Sequence, residues 1–302
     1  MSKPPIKGSQ LGGEVIEPIR LKPLWQIYLS MFLGLKKEST DLAAPLPDVV
    51  YIQRGRRVSQ DDMLAYQQVC GASPPDLVPP IYPHIMATHL QLQLMDSEHF
   101  PFSLAGLVHM GQSIEWHADM PINGSYDVVC KIEGPRETDR GWEFTLLTDV
   151  LKATERVWHE KIDFLKPDPK KRARPRRHSR SGDAVHFVPL LHLQFEEDMG
   201  RRYARVSGDW NPIHLSRFLA KRFGFKRPIA HGMFSLARCL SILQARGVEL
   251  NGMKLEGSFR APVMLPAYTN FSLGDREPDR NFALTDARKG RILVEGHLSE
   301  LN

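Results

Sequence analysis

Residues 203–233, YARVSGDWNPIHLSRFLAKRFGFKRPIAHGM, decide how the rest of the chain is interpreted. They place a carboxylic acid, Asp209, and an imidazole, His214, five positions apart across a turn. Two such groups, close enough to share one water molecule, can together move a proton to or from a bound substrate. The segment therefore predicts a site for acid–base chemistry in the C-terminal part of the chain.

The residues around His214 predict the start of a helix. Asn211 is a favoured N-cap residue, and Pro212 suits the first helical position. We expect this helix to run to Gly224, with His214 in its first turn. Because the positive end of the helix dipole opposes protonation, a neutral imidazole is expected near pH 7.

A second and more buried helix is predicted over residues 231–246, with Gly247 as its stop signal. Its first N–H groups have no partner inside the helix, and Gly232 carries no side chain to keep another atom away. A backbone donor of this kind can stabilise an oxyanion. The apolar residues that repeat with helical spacing are Met233, Leu236, Ala237, Leu240 and Leu243.

The same segment resembles the signature of the MaoC-like, R-specific enoyl hydratase (hydratase 2) family, which pairs S-G-D-x-N-P-I-H with G-F-x-x-P-I-A-H-G-M. The resemblance implies an α+β double hot-dog fold, in which each long helix is wrapped by an antiparallel sheet. It also implies reversible hydration of trans-2-enoyl thioesters to (R)-3-hydroxyacyl thioesters. Asp209 would be the base on the water, His214 the partner that gives or takes the second proton, and the N–H of Gly232 the donor to the thioester oxygen.

Two further residues are assigned to the site through the same resemblance. Asn211 is expected to brace the turn, and Met233 to bind substrate or support the site. His231 is interpreted as structural. One departure from the family pattern occurs where Pro266 and Ala267 replace a usual Gly-Asp pair, which concerns the local turn rather than the chemistry.

The length of 302 residues suits two domains of ordinary size. We expect an irregular lead-in with a short apolar helix over residues 1–45 and a non-catalytic hot-dog over 46–165. A basic linker over 166–182 and a catalytic hot-dog over 183–302 would follow. Strands are predicted at 128–132, 142–148 and 157–164, a polar turn at 134–141, a central helix at 84–95, a strand pair within 255–273, and closing strands at 282–285 and 291–298.

An internal repeat supports this division. Residues 66–75, YQQVCGASPP, align with residues 203–212, YARVSGDWNP, and PIYPHIM at 80–86 echoes PIAHGM at 228–233. Ala72 then stands in place of Asp209, and Leu77 in place of His214. The first half therefore lacks the acid and the imidazole. Either it holds an acyl chain, or it serves only as a structural partner.

The run KPDPKKRARPRRHSR at 166–180 is basic, broken by proline and without apolar periodicity. A solvated linker is the plainest interpretation. Contact with coenzyme A phosphates, with an acidic acyl carrier protein or with nucleic acid remains open at this point. Because no aromatic platform accompanies the charges, we expect no nucleic-acid partner. A formal net charge of +5 agrees with an anionic ligand.

Composition and spacing limit the compartment and the cofactors. Three widely spaced cysteines indicate neither a disulfide framework nor a zinc ribbon, so we expect a reducing, cytoplasmic setting. The apolar stretch 24–35 is too short to span a bilayer and predicts a surface helix, with an interfacial membrane anchor as the alternative. The histidines show no metal-ligand spacing with Cys, Asp or Glu, and no nucleotide-binding motif occurs. We therefore expect neither a metal nor a cofactor.

Alternatives to the hydratase interpretation remain. Asp209 alone could brace its turn, and His214 alone could be an exposed histidine. The chain could also be a hot-dog thioesterase, or a non-catalytic subunit that binds acyl thioesters. The expected partner is an acyl-coenzyme A or acyl-carrier-protein thioester in each case, and a homodimer is possible.

Overall fold

The structure is a computed structural model that describes residues 14–18, 20–35, 46–71, 73–168, 170–171, 185–276 and 280–301. The strands are β1 (Glu14–Ile16), β2 (Val49–Arg56), β3 (Val108–Trp116), β4 (Tyr126–Thr138), β5 (Gly141–Lys152), β6 (Glu155–Pro167), β7 (Phe187–Phe195), β8 (Met253–Phe259), β9 (Ala267–Gly274), β10 (Asn281–Asp286) and β11 (Ile292–Glu300). The helices are α1 (Leu24–Leu33), α2 (Gln60–Cys70), α3 (Tyr82–Asp96), α4 (Met199–Ser207), α5 (Arg217–Arg222) and α6 (Gly232–Ala245).

All eleven strands form one sheet, in the order β1-β2-β4-β5-β6-β3-β8-β11-β10-β9-β7. The strands that precede residue 168 lie on one side, and those that follow residue 185 lie on the other. Antiparallel pairing of β3 with β8 joins the two sets, with Gly111 opposite Ser258 and Glu115 opposite Lys254. The two halves of the chain therefore share one continuous sheet.

Each half of the sheet wraps one long apolar helix. Met86, Leu90 and Leu94 of α3 are buried, and so are Leu236, Leu240 and Leu243 of α6. These residues recur at helical spacing, which gives each helix an apolar face toward the sheet. The arrangement is an α+β double hot-dog, as predicted.

Most of the predicted elements lie where the sequence places them. The helix predicted at 231–246 is α6, and the one predicted at 84–95 is α3. The strands predicted at 128–132, 142–148 and 157–164 are the centres of β4, β5 and β6. The predicted turn at 134–141 is wrong, because β4 continues to Thr138 and only two residues separate it from β5. Beyond the departure at Pro266, β9 begins directly at Ala267.

The single helix predicted from Pro212 to Gly224 is also wrong. A short 3₁₀ turn covers Pro212–His214, and α5 begins separately at Arg217. Ser216 interrupts the two pieces because its side-chain oxygen accepts the N–H of Leu219 at 3.3 Å, as an N-cap does. His214 therefore stands at the end of a short turn and not in the first turn of a long helix.

The N-terminal region is more ordered than an irregular lead-in where the structure describes it. β1 pairs in parallel with β2, with Val15 opposite Val50. The helix predicted within residues 24–35 is α1, which packs on the domain with Ile27, Tyr28 and Met31 buried and with Trp25 and Leu29 exposed. Residues 1–13, 19 and 36–45 of the predicted lead-in lie outside the described residues, as do residues 169 and 172–182 of the predicted linker.

Strand β7 forms one edge of the sheet and pairs only with β9 among the described strands. Its ladder shifts register between Pro189 and Leu191, where the chain bulges. Across the described ranges, none of the helices has the length and apolar character needed to cross a membrane.

Candidate active site

Asp209 lies in a tight turn that follows α4. Gly208 ends the helix in the left-handed conformation, with φ of 73°. The N–H of Asp209 donates to Oγ of Ser207 at 3.1 Å, and the N–H of Asn211 donates to Oδ1 of Asp209 at 3.1 Å. The oxygen of the Asn211 side chain accepts the N–H of Ile213 at 3.4 Å. Local hydrogen bonds thus hold the carboxylate at a set angle.

His214 is buried and is held by one hydrogen bond. Its Nδ1 lies 2.8 Å from the carbonyl oxygen of Ile229. Because a carbonyl can only accept, Nδ1 carries the hydrogen, and Nε2 of the neutral ring keeps its lone pair. Burial lowers the pKa of His214, and this outweighs the nearby Asp209 carboxylate and the bond to Ile229. The imidazole of His214 is therefore neutral because it is buried, and not because of the helix dipole that the sequence suggested.

His231 connects the two groups. Its ring stacks on that of His214, with centroids 3.6 Å apart. Its Nε2 donates to the main-chain oxygen of Asp209 at 3.0 Å and lies 3.6 Å from Oδ2 of the same residue. Burial, with a further contribution from His214, lowers the pKa of His231 to about 3. A neutral His231 therefore braces the Asp209 turn from the start of α6.

The carboxylate and the two imidazoles converge on one small space. Each of Asp209, His214 and His231 offers an atom within 4.8 Å of the others. The side chain of Asp209 keeps 37% of its surface exposed, whereas that of His231 keeps 3%, so the space opens toward solvent at the carboxylate. One water molecule could bridge two groups at this separation.

The pKa of Asp209 lies below its usual range. Displacement of water by the surrounding protein raises this pKa, but the adjoining imidazoles of His231 and His214 lower it. Hydrogen bonds from the Asn211 N–H and from the hydroxyl of Tyr28 lower the pKa of Asp209 further. Asp209 is therefore a carboxylate near pH 7, beside a histidine that is neutral.

Gly232 is the first residue of α6, so its N–H has no partner within the helix. An aromatic ring, that of Phe259, lies close to the Cα of Gly232. A Cβ placed at Gly232 would lie 2.5 Å from Cε1 of Phe259. Met233, the next residue, is buried in the core with 4% of its surface exposed.

A second polar cluster lies in the first half of the chain. Glu160 is fully buried and accepts hydrogen bonds from His84 at 2.9 Å, from Gln91 at 2.9 Å and from Gln112. Asp209 contributes to raising the pKa of His84, so this cluster lies within electrostatic reach of the site in the second half. Ala72, which aligns with Asp209 in the repeat, lies outside the described residues.

The three residues Asp209, His214 and His231 have the spacing of a possible metal site. Their hydrogen bonds do not favour that use. Nε2 of His231, the nitrogen near the carboxylate, carries the hydrogen that it donates to the Asp209 carbonyl. A metal would require His231 to give up this bond or to turn its ring.

Of the residues predicted from the sequence, the structure brings Asp209 and His214 together with His231, while Asn211 braces the turn and Gly232 begins α6 next to His231. The sequence did not indicate Tyr28, whose hydroxyl donates to Oδ1 of Asp209 at 2.9 Å. Tyr28 precedes Asp209 by 181 positions and lies in an apolar run without a motif. Nor did spacing connect His84 with Glu160, which are 76 positions apart.

The fold and the site together define a double hot-dog protein with an Asp–His pair beside a helix start. Comparison with known proteins identifies the class, because residues 173–281 match the family described as MaoC like domain. The chain therefore carries a MaoC-like domain in its C-terminal part, as the resemblance to MaoC-like proteins predicts.

Among curated proteins, the chain is similar to 3-hydroxyacyl-thioester dehydratase X of Mycobacterium tuberculosis. The two are 29% identical over 238 residues, which cover 76% of this chain and 81% of the relative. A shorter match, 37% identical over 65 residues, is to 3-hydroxybutyryl-CoA dehydratase of Methylorubrum extorquens and covers 21% of this chain and 41% of that one.

Among solved structures, the chain is similar to the crystal structure of HtdX of Mycobacterium tuberculosis, with a TM-score of 0.72 and 26% identity. This likeness covers 83% of the chain and 100% of the HtdX chain.

Proposed function

We propose that the protein is a lyase that adds water reversibly to trans-2-enoyl thioesters and forms (R)-3-hydroxyacyl thioesters. The observation that carries the proposal is the approach of the Asp209 carboxylate to the neutral His214 imidazole, next to the start of α6. The names of the two dehydratase relatives support the same reaction class. The substrate would be an acyl-coenzyme A or acyl-carrier-protein thioester of fatty-acyl metabolism.

In the proposed mechanism one water molecule is held by the carboxylate of Asp209 and by Nε2 of His214, both of which accept hydrogen bonds. As the water oxygen bonds to the β-carbon, one of its protons passes to this pair. The pair returns a proton to the α-carbon on the same face of the substrate, so the enzyme ends unchanged. Neutral His214 can deliver a proton only after receiving one, which refines the role expected from the sequence.

Negative charge develops on the thioester oxygen while the bond to the β-carbon forms. We assign its stabilisation to the N–H of Gly232 and the positive end of α6. The ring of Phe259 covers one side of the Cα of Gly232. In this proposal Asn211 braces the carboxylate, Met233 supports Gly232 from the core, and no metal or cofactor takes part.

The first half is assigned a non-catalytic role as the partner that completes the sheet. A single chain then contains both halves that the fold needs. We also propose a cytoplasmic location, which is supported by three buried and free cysteines, Cys70, Cys130 and Cys239.

The proposal is tested with Asp209→Asn and His214→Ala. Each should lower the kcat for hydration of crotonyl-coenzyme A by about 10²–10⁴-fold, since acid–base groups typically contribute this much. The measurement is the loss of enoyl absorbance, with circular dichroism as a check on the fold. The matched controls are Asp275→Asn and His297→Ala at exposed positions, which should retain parent activity.

Parent-like hydration by either site variant would refute the assignment. A panel of enoyl-coenzyme A substrates of increasing length, with the stereochemistry of each product determined, tests the R-specificity. A thioesterase would instead release free thiol, which a thiol-reactive dye detects. A non-catalytic subunit would bind the thioester without any loss of enoyl absorbance.

A further inference from the structure

Helix α1 lies against the turn that carries Asp209. A Cβ placed on Gly208 would lie 3.1 Å from Cδ1 of Leu24, so the first residue of α1 touches this turn. Near the other end of the helix, the guanidinium of Arg222 stands 5.2 Å from the centroid of the Phe32 ring. The helix thus contacts both the Asp209 turn and α5.

The N-terminal end of α1 is held by α3. The ammonium of Lys22 pairs with the carboxylate of Asp96 at 2.8 Å. The main-chain N–H of Lys22 donates to Oε1 of Gln93, also at 2.8 Å. Nε2 of His89 lies 2.6 Å from the carbonyl oxygen of Lys22 and donates to it. Helix α1 therefore bridges the first half of the chain and the Asp209 turn of the second half.

Tyr28 is the residue through which α1 reaches the carboxylate. It is 8% exposed, and its hydroxyl donates to Oδ1 of Asp209 at 2.9 Å. Burial raises the pKa of Tyr28 well above its usual value, and the charge of Asp209 raises it further, so the hydroxyl keeps its proton. Tyr28 therefore stays a donor at every pH at which the protein would work.

The two oxygens of Asp209 are used differently. Oδ1 accepts hydrogen bonds from the Tyr28 hydroxyl and from the Asn211 N–H. Oδ2 lies 3.6 Å from Nε2 of His231, and that nitrogen already donates to the Asp209 carbonyl. With Oδ1 occupied by two donors, Oδ2 is the oxygen left to accept a hydrogen bond from water.

We propose that Tyr28 is a positioning residue of the active site, which holds Oδ1 of Asp209 so that Oδ2 faces the substrate water. The proposal rests on the function assigned to Asp209. It makes α1 part of the catalytic unit, although α1 lies outside residues 173–281 that match the family. The titratable groups around Asp209 are Tyr28 and His231, which contact it, His214 with an atom within 4.8 Å, and His84, His109 and Tyr203 further away.

The test is Tyr28→Phe, which keeps the packed ring and removes only the hydroxyl. The loss of one hydrogen bond to a charged group, and of the set angle of the carboxylate, should lower kcat by about ten- to a hundredfold, with little change in KM. The acid limb of the kcat/KM profile should move to higher pH, because a donor that stabilises the carboxylate is gone. The control is Tyr126→Phe, which removes a buried tyrosine bond of 2.6 Å to Pro121, in the first half of the chain.

A second measurement does not depend on turnover. The carbon-13 shift of the Asp209 carboxyl, assigned by comparison with Asp209→Asn, should titrate at higher pH in Tyr28→Phe than in the parent and in Tyr126→Phe. An unchanged titration together with an unchanged pH profile would overturn the proposal. If the titration shifts but the parent does not hydrate crotonyl-coenzyme A, the positioning by Tyr28 stands and the proposed function fails.

Discussion

The Cα of Gly232 faces the ring of Phe259, and this contact determines which side chains position 232 accepts. An added methyl group would lie 2.5 Å from Cε1 and 2.7 Å from Cζ of the ring. Real side-chain atoms do not approach so closely, so either the ring or the start of α6 must move. Because Phe259 ends β8, movement of the helix would shift the backbone N–H away from the substrate.

Gly232→Ala should therefore lower kcat by about a hundredfold, since displacement of a catalytic donor by about 1 Å has this effect. Its unfolding free energy should fall by about 1–3 kcal/mol from overpacking. The double variant Gly232→Ala with Phe259→Leu frees the space and should recover most of the loss relative to Phe259→Leu alone. Enzyme kinetics and urea unfolding on the four proteins complete the cycle. Additive losses in the double variant would contradict the steric account.

Single residues differ in how far the sequence predicts them. Asp209 and His214 are five positions apart, so their approach follows from one local turn. Tyr28 meets Asp209 only because α1 packs against α3 and the turn after α4, and such a contact leaves no trace in local spacing. The sequence also could not show why His214 is neutral. The cause is the burial of its imidazole, which depends on tertiary contacts such as the stacked ring of His231 at the start of α6.

At the scale of elements, Ser216 determines where the helix begins in the segment between His214 and the start of α6. The pattern 212–224 reads as one helix, because no proline or glycine interrupts it before Gly224. In the structure the side chain of His214 bonds to Ile229 and that of Ser216 caps α5. The N-cap at Ser216 therefore starts α5 as a separate helix, and the bond to Ile229 holds His214 outside it.

Ser216→Ala distinguishes the two arrangements. If Ser216 is an N-cap, the variant should lose about 1 kcal/mol of unfolding free energy in urea denaturation. If residues 212–224 formed a continuous helix, alanine would be the better helix former and the variant would match or exceed the parent. Ser30→Ala, in the interior of α1, is the control and should not destabilise the protein.

The other element predictions succeed or fail for stated reasons. Alternating residues identify the centres of β4, β5 and β6, and helical spacing identifies α3 and α6. The polar stretch from Gly134 to Gly141 suggested a turn, but β4 continues past a local register shift. Glycine and proline have low strand propensity and usually end a strand, although a long hairpin can accommodate them in a β-bulge.

At the scale of the whole molecule, the internal repeat correctly indicated two hot-dog units. It could not indicate which strands meet, because the pairing of β3 with β8 depends on main-chain hydrogen bonds across the halves. It also gave no sign of the buried cluster around Glu160. That cluster ties α3 to β3 and β6 through His84, Gln91 and Gln112.

The pair His84–Glu160 should make stability depend on pH. Burial lowers the pKa of His84, but the charge and the hydrogen bond of Glu160 outweigh it, so the pKa is raised. A raised pKa in the folded state stabilises the protein below the unfolded value of about 6.5, and this contribution is lost as the pH rises through the folded pKa.

His84→Gln should therefore cost more unfolding free energy at pH 5.5 than at pH 8.5, as measured by urea denaturation at both values. The control is His89→Gln on the same helix, where the imidazole bonds to a carbonyl oxygen instead of a carboxylate. An equal cost of His84→Gln at the two pH values would show that the ion pair does not stabilise the fold.

The bulge at Pro189 bears on how two chains could meet. Proline has no N–H, and the ladder of β7 shifts register beside it; both features are typical of edge strands that do not pair with another chain. Extension of the sheet from one molecule into the next is therefore disfavoured at this border. A pair of chains that meets here would have to associate through side chains such as Val188, Leu190 and Leu191, which are about half exposed.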